Sequence, residues 1–136
     1  MSNPQKAYPP IWLTQLIFVI CLISNAAAEE KWQLVYSNKD KGNEMYLLNE
    51  APVILDSSIR VWVLTNSPIT GYSIVEYLEY DCNEPRVKSL DLHAYKGLMG
   101  EGTSLEYINK NKGEWKYAMP SSPGDEIRKA LCKALI

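Results

Sequence analysis

Apolar residues in this chain first gather into one run and then alternate with polar ones. Residues 11–23 read IWLTQLIFVICLI, with only Thr14 and Gln15 polar. Beyond residue 30 the period becomes two, the repeat of a half-buried β-strand. Trp32, Leu34 and Tyr36 alternate with smaller or polar neighbours, and residues 38–43 are a turn by composition. Glu44 to Leu48 predicts a short second strand, which Pro52 keeps from running on. In Ser58 to Thr65, Ile59, Val61 and Val63 share one face, and Arg60, Trp62 and Leu64 the other. A strand apolar on both faces belongs at the centre of a sheet. Asn66-Ser67-Pro68 ends it and Gly71 marks the return. Tyr72 to Asp81 sets Tyr72, Ile74, Leu78 and Tyr80 against Ser73, Val75, Tyr77 and Glu79.

Asn83-Glu84-Pro85 is a tight connection, so Arg86 to Tyr95 should pair antiparallel with the strand before it. Its expected apolar face is Leu90, Leu92 and Ala94, and its wetter face Val87, Ser89, Asp91 and His93. Gly97, Gly100 and Gly102 punctuate the next loop. Thr103 to Ile108 follows as a sixth strand, and Trp115 to Met119 as a short edge strand. Ser122 can cap a helix, Pro123 suits its first position, and Asp125 suits the first turn. Ile127, Leu131, Ala134 and Leu135 then form one apolar stripe. The expected class is α+β: a single antiparallel sheet of about six strands with a C-terminal helix packed on one face.

Composition narrows what this fold can do. With 136 residues the chain has the length of one domain, and 46% hydrophobic against 22% charged residues excludes general disorder. A formal charge of -2 lacks the basic face that nucleic-acid binding needs. The opening apolar run is too short to span a bilayer but suits the core of a secretory signal. Ser24-Asn25 and then Ala26-Ala27-Ala28 follow it, which predicts cleavage between Ala28 and Glu29. Residues 1–28 are thus read as a signal peptide and 29–136 as the folded domain, with no membrane span in the mature chain. Ile20 before Cys21 is a poor lipidation context, so Cys21 should leave with the signal and no lipid anchor is expected.

Removing 28 of 136 residues leaves 108, with 13 basic and 16 acidic side chains and a charge of -3. Two cysteines remain, Cys82 and Cys132. In an oxidising compartment two cysteines pair by default. That bridge would tie the helix to the sheet, closing a loop worth about 4 kcal/mol.

Candidate chemistry is sparse. The single histidine, His93, falls in line with Asp91 and Ser89 on one expected strand face. Such neighbours stand about 6.5–7 Å apart by strand rise, whereas a catalytic triad needs contacts of about 2.6–3.2 Å. The glycine-rich Gly97–Gly102 loop lacks the lysine and hydroxyl of a phosphate loop. Neither a metal site nor a cofactor is indicated. Lys110, Lys112 and Lys116 read as a solvated turn. Eight tyrosines and three tryptophans remain in the mature chain. Aromatic surfaces favour recognition, although at least two of Trp32, Trp62 and Trp115 are expected in the core.

The order of several landmarks resembles one family. Ile59-Arg60-Val61-Trp62-Val63-Leu64 is followed by Tyr80-Asp81-Cys82 and Arg86, then Tyr95 with its glycine loop. Trp115, Pro120 and a final helix ending in Cys132 complete the series. From about Trp32 to Cys132 the chain resembles the surface-adhesin protein E family of small exported bacterial proteins. One departure is Asn49, where an acidic residue often follows the second strand. The resemblance implies a six-stranded antiparallel sheet with a helix tied back by a disulfide, and adhesion to host or matrix macromolecules. It carries over no ligand-binding residue. The expectation is a non-enzymatic, exported binding protein in the periplasm or at the cell surface, with a protein or other macromolecule as partner. The alternatives are a periplasmic envelope accessory protein with a bacterial partner and a small hydrolase using His93.

Overall fold

The computed structural model describes residues 30–135. The expected signal peptide, the Ala28–Glu29 cut and Cys21 lie outside these residues. Eight strands run as β1 (Trp32–Ser37), β2 (Glu44–Leu48), β3 (Val53–Ile54), β4 (Ser58–Ser67), β5 (Tyr72–Asp81), β6 (Arg86–Lys96), β7 (Thr103–Leu105) and β8 (Trp115–Tyr117). Helix α1 (Pro123–Cys132) and a 3-10 turn (Lys133–Leu135) close the chain. The strands form one antiparallel sheet in the order β1-β2-β4-β5-β6-β7. Two further strands fill in beside it: β3 pairs with β4, and β8 with β6.

The sheet is therefore six positions wide, as expected, but holds eight strands. β3 meets Ile59 and Arg60 of β4, on which β2 takes Val63 to Asn66. A two-residue strand after Pro52 is too short to show a period. β7 ends at Leu105 instead of Ile108, and β8 at Tyr117 instead of Met119.

Helix α1 starts where the sequence places it. Ser122 is extended at φ -70° and ψ 157°, and its hydroxyl accepts the Asp125 N–H at 3.3 Å. This satisfies one of the donors left free at a helix start. Ile127 packs on Val63 and Tyr80, and Leu47, Val61, Leu78, Val87 and Leu131 close around them. Burying one such side chain contributes about 1.5–3 kcal/mol. Ala134 leaves the expected stripe: the last turn tightens to 3-10 geometry, and the residue is exposed.

Pairing register sorts the sheet into two faces. Under the helix, Ile59 lies opposite Tyr80, which lies opposite Val87, while Val61 meets Leu78 and Val63 meets Glu76. Among the described residues no helix covers the other face. One end of it is covered by the Gly97–Gly102 loop, which is the strand connection the sequence suggested. Ser73 Oγ donates to Gly97 O at 2.6 Å and accepts from Gly100 N–H at 3.0 Å. The Met99 N–H reaches Asn66 Oδ1 at 2.8 Å. Gly100 (φ +69°) approaches so closely that an added Cβ would stand 2.9 Å from Val75 Cγ2. The loop seals Leu64, which is fully buried although it faces away from the helix.

Candidate functional site

The open face carries a row of aromatic residues set by strand register. Trp32 lies opposite Leu48, Trp62 opposite Tyr77, and Tyr77 opposite Asp91. A neighbouring row runs Tyr46, Leu64, Val75 and His93. The Trp62 and Tyr77 rings stack with centroids 4.9 Å apart, and the His93 ring lies 6.3 Å from Trp62. Over these rows opens a cavity of about 340 Å³ lined by Trp32, Leu48, Trp62, Val75 and His93, with the charged Lys31 and Glu50.

Trp32, Trp62 and Trp115 are all half-buried, so the expectation that at least two are core residues is corrected. A ten-residue helix covers one face only, and all three indoles belong to the other. An aromatic residue that keeps an exposed face remains available for contact.

Next to the aromatic row the face turns ionic. Glu79 is buried, accepting from Ser58 Oγ at 2.9 Å and Arg60 Nε at 2.8 Å, with Lys88 Nζ at 3.6 Å. Asp81 accepts from Arg86 Nε at 2.8 Å and from the Asn83 and Glu84 N–H groups at 2.8 and 3.2 Å. Burial, the largest single influence, pushes both carboxyls up. The hydrogen bonds outweigh it and hold both below their ordinary range. Arg86 and Lys88 stand 4.7 and 4.3 Å from the Trp115 ring centre, a doubled cation–π contact.

The expected line of Ser89, Asp91 and His93 does not exist. The β5–β6 register shifts between Tyr77 and Leu78, so that Asp91 meets Tyr77 and Ser89 meets Leu78. Leu90 is the extra residue of a β-bulge, which reverses the alternation on one side of it. Ser89 therefore falls on the helix face, donating to Glu76 at 3.1 Å, and Val87, on the same face, packs against the core. Asp91 and His93 stay on the open face. They reach each other at 3.1 Å, closer than strand rise suggests, and both are nearly half exposed, at 44% and 49%. Desolvation tends to raise the Asp91 carboxyl, but His93, the Leu92 N–H and Lys112 together hold it low. The pair forms a polar contact point on the aromatic face, with Asp91 opposite Tyr77.

A second, larger cavity of about 600 Å³ lies by the disulfide, between Asp56-Ser57 and the end of α1. Two of the charged groups along it are paired, with Lys129 on Glu126 at 3.1 Å and Arg128 on Asp125 at 3.0 Å. Among the described residues no group of three or more His, Cys, Asp or Glu side chains is arranged to hold a metal ion. No helix among them is long and apolar enough to cross a membrane.

A family model, Surface-adhesin protein E, matches residues 32–133. The chain belongs to the surface-adhesin protein E family. The matched region of this family member starts at the first tryptophan of the open face and ends just past Cys132. It thus includes the whole sheet, the helix and the Cys82–Cys132 bridge, which joins the end of β5 to the end of α1. Membership makes the chain adhesin-like and places it among exported or cell-surface proteins. Comparison with curated proteins gives no match, and neither does comparison with solved structures. For this adhesin-family chain, sequence reasoning missed the aromatic row as a unit. The signal was present in the parity of Trp62 and Tyr77, both on the side that Ile59 and Tyr80 leave free.

Proposed function

We propose that this chain is an exported, non-enzymatic adhesin that holds a macromolecular partner with the open face of its sheet. On this reading the signal is cut between Ala28 and Glu29, Cys21 leaves with it, and the mature domain carries no lipid. The observation that carries the reading is the asymmetry of the sheet. One face is spent on α1, while the other presents Trp32, Trp62 and His93 on the wall of an open cavity, with Tyr77 stacked on Trp62 and Asp91 held to His93. Half-exposed aromatics flanked by charged groups are the composition of recognition hot spots.

Solid-phase binding to matrix macromolecules tests it. Trp62→Ala should weaken saturable binding about thirty-fold, since hot-spot truncations cost about 2 kcal/mol or more. Tyr107→Ala, exposed on the loop between β7 and β8, should leave binding unchanged. Equal binding by all three proteins would sink the role of this face. Protease treatment of intact cells tests the location: a chain out of protease reach would favour the envelope accessory alternative.

A further inference from the structure

We propose that the cavity over Trp32 and Trp62 is a binding site for a neutral saccharide, one or two pyranose rings in size. The proposal rests on the open face being the recognition surface and names what that face recognises. A pyranose ring has one side of polarised C–H groups and a rim of hydroxyls that both donate and accept. Its C–H side packs well on an aromatic π-face. Its hydroxyls need donors and acceptors side by side, because an unpaired one loses its hydrogen bonds to water.

The cavity supplies both. Trp32 and Trp62 line it together, and its volume of about 340 Å³ lies at the small end for ligand sites. Two donor–acceptor sets stand beside the indoles: Asp91 with His93 at 3.1 Å, and Lys31 with Glu50 on the cavity wall. The charge of these groups is nearly balanced, which suits a neutral ligand. A phosphate or sulfate would find one lysine among carboxylates. A quaternary ammonium group would meet like charge, since Lys31 Nζ already lies 5.8 Å from the Trp32 ring centre. To a sugar hydroxyl that same ammonium is a donor.

The test uses the protein isolated after expression of the full chain. Tryptophan fluorescence is titrated with lactose, chitotriose, maltotriose and mannobiose, and separately with tetramethylammonium chloride. At least one saccharide should give a saturable change with a Kd of the order of 1 mM, the scale for a small solvent-open site. Trp62→Ala should weaken it about ten-fold or more. Asp91→Asn, at a half-exposed position, should weaken it several-fold. Saturation by tetramethylammonium alone, or no saturable response to any saccharide, overturns the proposal. A second arm measures binding to a glycoprotein surface before and after enzymatic removal of its glycans. Binding that survives deglycosylation yet falls in Trp62→Ala overturns the saccharide and leaves the face as the recognition surface. Binding indifferent to Trp62→Ala overturns both.

Discussion

Glu76 shows how one residue can oppose the fold that holds it. It lies on the helix side of β5, opposite Val63 on one neighbouring strand and Leu92 on the other. Ser89 Oγ donates to it at 3.1 Å and in turn accepts from Asn109 Nδ2 at 2.8 Å. Among the described residues no cation forms an ion pair with it. Burial raises its carboxyl above the ordinary range, with the Ser89 hydrogen bond pulling the other way. An acid whose folded pKa is raised binds more protons folded than unfolded. Its stabilising contribution is therefore complete at low pH and is lost as pH rises through the raised value. Glu76→Gln should then stabilise the protein in urea unfolding at pH 7, and the gain should vanish near pH 4. A gain of the same size at both pH values would refute this assignment. The alternation of β5 already sets Glu76 in the row of Ile74 and Leu78. Its burial was not legible, because nothing in β5 alone says which row the helix will cover.

At the scale of elements, the sequence was most informative where one segment settles its own shape. The Ser122-Pro123 start of α1, the turn at Asn83-Glu84-Pro85 and the central place of β4 are all local signals, and all are observed. What depends on two segments meeting was hidden. The bulge at Leu90 is visible only in the pairing of β5 with β6, and it moved Ser89 and Val87 to the opposite face. The Gly97–Gly102 loop reads as a connection, yet its fold over Leu64 and Val75 depends on Asn66 and Ser73, far along the chain. A pair of substitutions separates backbone conformation from close approach. Gly113 (φ +80°) has nothing within 4 Å of an added Cβ, so Gly113→Ala should cost only the left-handed backbone term, about 1 kcal/mol. Gly100→Ala adds a clash with Val75 and should cost about 1–2 kcal/mol more. Equal destabilisation in chemical unfolding would mean that the loop does not press on the face.

For the whole molecule, the thin construction makes the disulfide matter. The fully apolar interior is small, with Ile59, Val63, Leu64, Tyr80, Ala94 and Ile127 as its buried members. The helix sits on the sheet through one short stripe. Cys82 and Cys132, 50 residues apart with Cα atoms 5.5 Å from each other, pin its last turn. Breaking a cross-link of that span should cost about 4 kcal/mol in the chain-entropy account, which lowers Tm by on the order of 20 °C in a domain of this size. After reduction the helix keeps its apolar stripe on Val63 and Tyr80 and one polar tie to the sheet, through Arg128, which Asp125 holds in place. Arg128 Nη1 donates to Asp81 O at 3.3 Å, and the buried Asp125 holds Arg128 Nε at 3.1 Å and Lys129 Nζ at 3.1 Å. Lys129, and after it Arg128, keep the Asp125 carboxyl below its ordinary range. A depressed carboxyl stabilises fully above its unfolded pKa, and that contribution is lost as pH falls toward the folded value. In acid the reduced protein thus loses the second anchor after the first. Its acid unfolding midpoint, followed by circular dichroism, should lie at higher pH than that of the oxidised protein. Coincident acid midpoints, or an unchanged Tm in reductant, would show that the helix is held by its apolar stripe alone.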